Sequence, residues 1–152
     1  MSDSNNVFDI ELINLEDINI SAASIENKTE FTALDSTSYS HDVDYRFKFG
    51  VNKSQKKIRA IFECKIFTFN NLREKIEVEG NFDIAYVFLI KNFDDLINVS
   101  EHLELEDNLV LSIANIIYST SRGIIYTRCQ GTILNNVILP ILSTKKLKEL
   151  LA

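Results

Sequence analysis

The sequence predicts an α+β domain: a four-stranded antiparallel sheet followed by a long helix and a short C-terminal helix. Three observations support this prediction. Apolar residues alternate with polar ones over most of residues 7–91, as they do in strands with one buried face. Residues 108–130 instead repeat apolar positions at the spacing of a helix. The length of 152 residues fits one domain over 1–152, in which residues 1–6 are expected to fray.

The predicted strands differ in how clearly they alternate. The first covers residues 7–21, and its parity slips where Ile13 follows Leu12, which indicates a bulge or a bend. The Ser- and Thr-rich residues 22–42 are predicted to form a loop. The other strands are predicted at 45–51, 58–69 and 75–91, with turns in VNKSQKK and FNNLRE and a kink at Gly80.

The C-terminal third is predicted to be mainly helical. After an acidic loop at 92–107, a helix is expected over 108–130, with Asp107 as its N-cap and Gly131 as its C-terminal stop. The segment TILNNVILP is predicted to be extended up to Pro140, and STKKLKELL is predicted to form a short amphipathic helix.

The predicted elements carry more apolar surface than two layers can bury. Residues 109–118 are apolar on almost every side of the helix, and the strand ends at 61–69 and 84–90 are apolar on both faces. Such surface is covered by another subunit or offered to a ligand. The sequence therefore predicts a homo-oligomer with the long helix at its core.

Charge and cysteine content narrow the class of protein. The net charge of −6 repels phosphate backbones and anionic membranes, so neither nucleic acid nor a membrane is an expected partner. The sequence has no run of 18 apolar residues and no signal peptide, and Cys64 and Cys129 lack the spacing of a metal site. A cytoplasmic protein with reduced thiols is therefore expected.

No motif for catalysis, nucleotide binding or a metal site emerges from the sequence. The P-loop, dinucleotide-binding, zinc-protease and nucleophile-elbow patterns are all absent. His41 and His102 fall in polar segments and are predicted to be solvated. The acidic residues of 101–107 lack the alternating ligands and the glycine of a calcium loop. We therefore expect a protein that is not an enzyme and needs no cofactor and no metal.

Two segments resemble the SecB family of protein-export chaperones. In the C-terminal segment, the places of that family's Tyr-x-x-x-Arg helix, glycine stop and Leu-x-Pro-type turn are occupied by Tyr118, Arg122, Gly131, Thr132, Leu139 and Pro140. The pattern of the family's first strand is matched by Phe8, Ile10, Ile13, Asp17 and Ile18. The order of four strands, long helix and short helix also agrees, so the chain resembles a divergent SecB-like protein.

The resemblance implies a tetramer built as a dimer of dimers, with helices packed between two eight-stranded sheets. It also implies an ATP-independent holdase that binds unfolded or nascent preproteins in apolar grooves beside the helices. Two alternatives stay open: a SecB-like chaperone dedicated to a toxin–antitoxin pair, and a non-catalytic oligomeric adaptor for one folded partner. The candidate client-binding residues are Phe67, Phe69, Tyr86, Val87, Leu89 and Tyr118.

The resemblance further implies a contact with the motor ATPase SecA, which SecB proteins bind through acidic residues on the sheet. The matching positions are Asp17 and Glu77, while a third acidic position of the family is Ser21 in this chain. Both carboxylates alternate with apolar neighbours, so they are expected to point away from the core. A salt-sensitive contact with SecA through Asp17 and Glu77 is therefore predicted.

Overall fold

The computed structural model describes residues 9–28, 39–98, 104–105 and 107–151. The strands of the main sheet are β1 (Ile13–Asn27), β2 (Ser40–Asn52), β3 (Lys57–Phe69) and β4 (Lys75–Ile90). A 3-10 turn at Ile10–Leu12 precedes them, and a second one at Phe93–Asp95 follows. The remaining elements are the short strands β5 (Ile97–Asn98) and β6 (Glu104–Leu105) and the helices α1 (Asp107–Cys129) and α2 (Thr144–Leu151).

The four long strands form one antiparallel sheet in the order β1–β4–β3–β2. Along β3 from Ile58, and along β4 from Val78, the even-numbered residues are buried. These positions define the helix-side face of the sheet, and their odd-numbered neighbours define the outer face. α1 packs over β3 and β4, and α2 lies against α1 and β2. The predicted α+β class, with this order of elements, is confirmed.

The core lies between the helix-side face and one stripe of α1. Phe62, Phe88, Ile113 and Ile117 are all fully buried there, and burial of each such side chain stabilises the fold by about 1.5–3 kcal/mol. By length and composition α1 is also apolar enough to cross a membrane. Because its apolar stripe packs on the sheet, we interpret α1 as the core helix of a two-layer domain.

β1 begins and ends later than the sequence predicts. Residues 10–12 form a 3-10 turn, so the strand begins at Ile13. It continues to Asn27, into the region predicted as a loop. At the predicted slip between Leu12 and Ile13 the 3-10 turn ends and the strand begins. Two bulges lie farther along β1 and leave Glu16 and Ser21 without a partner in the register against β4.

Other boundaries also differ from the prediction. β2 begins at Ser40, so the predicted loop 22–42 is strand at both ends, and residues 29–38 lie outside the described part of the chain. The predicted fraying of residues 1–6 lies outside it as well. The pairing of β5 with β6 is not predicted by the sequence. Gly131 has φ +75° and ends α1 as predicted, whereas residues 133–136 form turns rather than an extended segment.

Gly80 allows close packing rather than a kink. β4 runs unbroken through this position. A Cβ atom on Gly80 would lie 2.9 Å from Cδ1 of Leu134 and 3.2 Å from Cε2 of Phe82. Leu134 belongs to the segment that follows α1, so the missing side chain lets that segment reach the sheet.

Candidate apolar binding surface

β1 forms one edge of the sheet and presents apolar side chains that the helices leave uncovered. Leu15 pairs with Phe88 and Ile18 pairs with Tyr86, both on the helix-side face. Leu15 is nevertheless 38% exposed and Ile18 is 41% exposed. The apolar residues of β1 on this face, named the β1 strip below, are Ile13, Leu15, Ile18, Ile20 and Ile25.

The β1 strip lies beside the edge of β1 that faces away from β4, and no other strand of the described residues pairs with that edge. An edge strand can accept another strand through its unpaired N–H and C=O groups. A strand added there would also place its side chains next to the β1 strip, because the sheet faces continue across the new pair. This edge can therefore bind an extended segment through both backbone hydrogen bonds and apolar contacts.

The exposed side of α1 is more polar than the sequence predicts. Leu109, Ile113 and Ile117 are buried, whereas Asn115 and Ser119 are exposed. Between these two sides lie the half-buried residues Val110, Leu111 and Ile116. α1 therefore has one buried stripe and one polar stripe. Within residues 109–118 the apolar side chains are thus buried or half-buried, and Asn115 is exposed among them. The large aliphatic side chains that are more than one-third exposed in the described residues lie mainly on β1 and in the segment after α1.

The segment between the two helices, residues 130–143, forms a second apolar surface. Within it, Ile138 is 67% exposed and Ile141 is 83% exposed. Their neighbours Val137 and Leu139 are buried. The segment is thus fixed to the core by alternate side chains while two large aliphatic side chains remain in water.

Two hydrogen bonds from α1 hold this segment in place. The Tyr118 hydroxyl donates to the carbonyl oxygen of Pro140. One turn later, Nε of Arg122 donates to the carbonyl oxygen of Leu139 at 2.9 Å. Four of the residues that resemble the SecB pattern at the C-terminal end, Tyr118, Arg122, Leu139 and Pro140, are therefore joined by hydrogen bonds.

Four of the predicted client-binding residues lie on the outer face, but at opposite ends of it. Phe67 and Phe69 are half-buried near the end of β3. Val87 pairs with Arg59, eight residues from Phe67 along β3, which corresponds to about 26 Å. Leu89 lies still farther along β4. These side chains therefore do not line one groove.

Cationic side chains cover the two outer-face phenylalanines. Nζ of Lys75 lies 4.6 Å from the ring centroid of Phe67. The guanidinium carbon of Arg73 lies 5.5 Å from the ring centroid of Phe69. These cation–π contacts explain how two phenylalanines are accommodated on an exposed face of the sheet.

The other two predicted client-binding residues belong to the core. Tyr86 is fully buried, and its hydroxyl lies 2.6 Å from Oγ of Ser121 on α1. Tyr118 is 4% exposed and makes edge-to-face contacts with Tyr45 and Phe62, with ring centroids 5.8 and 5.7 Å away. In this conformation neither tyrosine offers a surface to a client, so both are structural residues of the protomer.

The two predicted docking carboxylates point away from the core, as expected, but they are far apart. Asp17 and Glu77 are both exposed. Asp17 pairs with Val87, and Glu77 lies ten residues before Val87 in β4, which corresponds to about 33 Å. They cannot form one compact acidic patch on a single protomer.

The thiols and acidic groups show no arrangement for catalysis or metal binding in the described residues. Burial raises the pKa of Cys64 to about 12 and that of Cys129 to about 11, so both are unreactive neutral thiols at physiological pH. Within the described ranges, no three His, Cys, Asp or Glu side chains are grouped as they would be around a metal ion. His102 and the acidic residues Glu101 and Glu106 lie outside those ranges.

His41 is not solvated as the sequence predicts. It lies in β2, is half-buried, and its Nδ1 is 2.9 Å from Oγ1 of the buried Thr68. Burial lowers the pKa of His41 below the ordinary value of 6.5. The folded chain therefore takes up a proton at this residue less readily than the unfolded chain does.

This difference predicts a pH dependence of stability. As pH falls below about 6.5, the unfolded chain is protonated first, so the free energy of unfolding is expected to decrease until the folded-state pKa is passed. His41→Gln should show a smaller decrease in the urea midpoint between about pH 7.5 and about pH 5.5. An equal decrease in the variant and the unmutated protein would assign the effect to other groups.

A four-stranded antiparallel sheet followed by a long helix and a short C-terminal helix is the fold of a solved SecB-like chaperone, and the chain has this fold. One of the solved structures that match the chain is the Mycobacterium tuberculosis Rv1957 SecB-like chaperone in complex with a ChAD peptide from the Rv1956 HigA1 antitoxin. Its TM-score is 0.62 over 88% of this chain and 92% of that chain, at 13% sequence identity. The SecB-like fold predicted from the sequence is thereby confirmed.

A second solved structure, a protein of unknown function from Streptococcus agalactiae, matches with a TM-score of 0.44 over 86% of this chain and 97% of that chain, at 8% identity. Neither a protein-family model nor a curated protein matches the chain.

Proposed function

We propose that the protein is an ATP-independent holdase chaperone that acts in the cytoplasm as an assembly of identical subunits and binds unfolded proteins. The observation that supports this proposal most directly is that ordered elements hold large aliphatic side chains in water, on β1 and between the helices. Exposed apolar surface of this kind is typical of sites for proteins or ligands. The proposal requires no cofactor and no catalytic step.

Assembly is proposed to occur along β1. Two copies that pair their β1 edges would join two four-stranded sheets into one sheet of eight strands and cover the β1 strip of each subunit. A second contact between such dimers would then use the polar side of α1, where Asn115 and Ser119 are exposed. This arrangement agrees with the tetramer that the SecB resemblance implies.

Client binding is proposed to use Ile138 and Ile141. Each is an aliphatic side chain held in water by a backbone that α1 anchors. Because this backbone is already ordered, binding costs less conformational entropy there than on a mobile loop. A client that covers both side chains would bury apolar surface, and this contact does not depend on a specific client sequence.

The test measures light scattering by an unfolded, aggregating client protein without ATP. The unmutated protein is expected to suppress the aggregation, and Ile138→Ser with Ile141→Ser should weaken client binding by about tenfold or more. The matched control is Leu72→Ser, because Leu72 is 72% exposed but lies in the turn between β3 and β4. The control should suppress aggregation like the unmutated protein.

Two other outcomes would change the proposal. If the unmutated protein does not suppress aggregation, the holdase activity is wrong. If Phe67→Ser with Phe69→Ser removes suppression while the isoleucine variant retains it, clients bind at the outer face, as the sequence predicts. Light scattering of the variants alone shows whether each retains its assembly.

A second candidate function is that of a chaperone dedicated to an antitoxin. The observation that favours it is the structural match to a SecB-like chaperone in complex with an antitoxin peptide. Delivery of preproteins to SecA is the other specialised role that the resemblance implies, and it remains a prediction. The two roles differ in client range: a dedicated chaperone should protect one client, whereas an export chaperone should protect many.

A further inference from the structure

A glycine that the fold does not require lies on the outer face of the sheet. Gly50 is in the edge strand β2, opposite Arg59 of β3. Its φ is not in the left-handed region, and an added Cβ atom would meet only the carbonyl oxygen of Arg59, at the ordinary distance of 4.0 Å. Glycine weakens a strand, and in a strand it often marks a place where a ligand or another backbone comes close.

The missing side chain opens a groove across the strands. The groove has a volume of about 340 Å³ and is lined by Gly50, Asn52, Gln55, Lys57, Arg59 and Val87, together with Val51. Val87 is half-buried and lies between Arg59 on one side and Asp17 on the other. Around it, the half-buried side chains of Ile61 and Leu89 continue the apolar part of the outer face.

The side of the groove nearest Gly50 is cationic, although the whole chain carries a net charge of −6. Three neighbouring lysines are in ion pairs: Lys48 with Glu63, Lys56 with Asp94, and Lys57 with Glu16. Arg59 is exposed, and among the described residues it has no ion-pair partner. Asp17, Val87, Arg59 and Gly50 face one another across the four strands of the sheet. The carboxylate of Asp17 is therefore separated from Arg59 by two strand spacings, about 10 Å.

We propose that this groove docks an extended acidic segment of a partner protein. An aliphatic side chain of the segment rests on Val87, and a carboxylate two residues along, which points to the same face of the extended segment, accepts two hydrogen bonds from the guanidinium of Arg59. Arginine suits this role because its planar fork matches a carboxylate. The bare backbone at Gly50 leaves room for the backbone of the segment to cross β2.

This docking site is independent of the proposed chaperone function. The groove lies on the outer face of the sheet, whereas the β1 strip lies on the helix-side face. A partner could therefore bind the groove while the β1 strip is covered by a second subunit.

The experiment measures binding of an acetylated and amidated peptide that repeats Glu-Ser-Val-Ser, so that glutamate and valine share one face of the extended chain, to the full chain by isothermal titration calorimetry. Binding is expected, and it should weaken as salt is raised, because the contact with Arg59 is exposed. Arg59→Glu should raise the Kd at least about tenfold. Gly50→Val should raise it by about tenfold as well, because the new side chain fills the groove without disturbing the strand.

The matched control is Lys65→Glu, which makes the same change of charge at an exposed outer-face position of β3 and should change the Kd by no more than about twofold. The proposal is overturned if the unmutated protein does not bind the peptide. It is also overturned if Lys65→Glu weakens binding as much as Arg59→Glu, or if Gly50→Val leaves the Kd unchanged. A change in assembly mass with Gly50→Val would instead assign the groove to a contact between subunits and would overturn the proposed partner.

Discussion

Leu15→Glu with Ile18→Glu is expected to dissociate the assembly proposed for this protein into monomers. Both side chains are more than one-third exposed on an edge strand, and pairing of two β1 edges would bury them. In a twofold-symmetric contact each substitution occurs twice, so four apolar side chains become charged. The expected loss is about 4 kcal/mol or more, which weakens the dimer about a thousandfold.

The measurement is the mass in solution by light scattering after size-exclusion chromatography. The unmutated protein should give a multiple of 17.4 kDa, and the variant should give a single chain. The matched control is Asn14→Glu with Asn19→Glu, because Asn14 and Asn19 are exposed on the outer face of the same strand. This control adds the same charge to β1 without entering the β1 strip and should keep the assembly mass.

The outcomes separate two uses of the β1 strip. If the Leu15 and Ile18 variant keeps its assembly mass but no longer suppresses aggregation, the strip binds clients rather than a second subunit. If the unmutated protein is a monomer, both the assembly and the packing reason for it are wrong. Circular dichroism of the variant should show an intact sheet, as expected for substitutions at partly exposed positions.

The sequence predicts the order of the elements well because the strands alternate and α1 has a helical period. It predicts the ends of β1 poorly, since the residues up to Asn27 alternate weakly. Those residues are strand because they pair with β4, where Asn27 meets Val78. Pairing between residues so far apart in the sequence cannot be recognised from the alternation of neighbouring residues.

The candidate site is harder to predict, because it depends on which face of the sheet the helices cover. Residues 84–90 are apolar at both parities, so alternation alone does not show whether Tyr86 or Val87 faces α1. The structure places Tyr86 under the helix and Val87 outside. Likewise, the sequence shows that Asp17 and Glu77 point outward, but only the register reveals their separation. The exposure of Ile138 and Ile141 depends on the two hydrogen bonds from α1, which no periodicity indicates.

Loss of the hydrogen bond between Tyr86 and Ser121 is expected to decrease the free energy of unfolding. Tyr86→Phe removes one hydroxyl of a buried hydrogen-bonded pair and leaves Oγ of Ser121 in the core. We expect a decrease of about 1–2 kcal/mol in the free energy of unfolding, because the Ser121 hydroxyl can partly recover by donating to a backbone carbonyl of its own helix. Ser121→Ala should cost more, about 2–3 kcal/mol, because the tyrosine hydroxyl is then buried with no such alternative.

The double variant, Tyr86→Phe with Ser121→Ala, should lose less than the sum of the two single losses, because no polar group is then left unpaired. Urea unfolding measures the stability of all three variants. The control is Tyr126→Phe, because Tyr126 is 46% exposed on the same helix. This control should change the free energy of unfolding by less than about 0.5 kcal/mol. Aggregation suppression per folded protein should stay unchanged throughout, because Tyr86 does not reach the surface. If Tyr86→Phe instead abolished suppression at unchanged stability, Tyr86 would contact clients as the sequence predicts, and the core between β4 and α1 would have to open during binding.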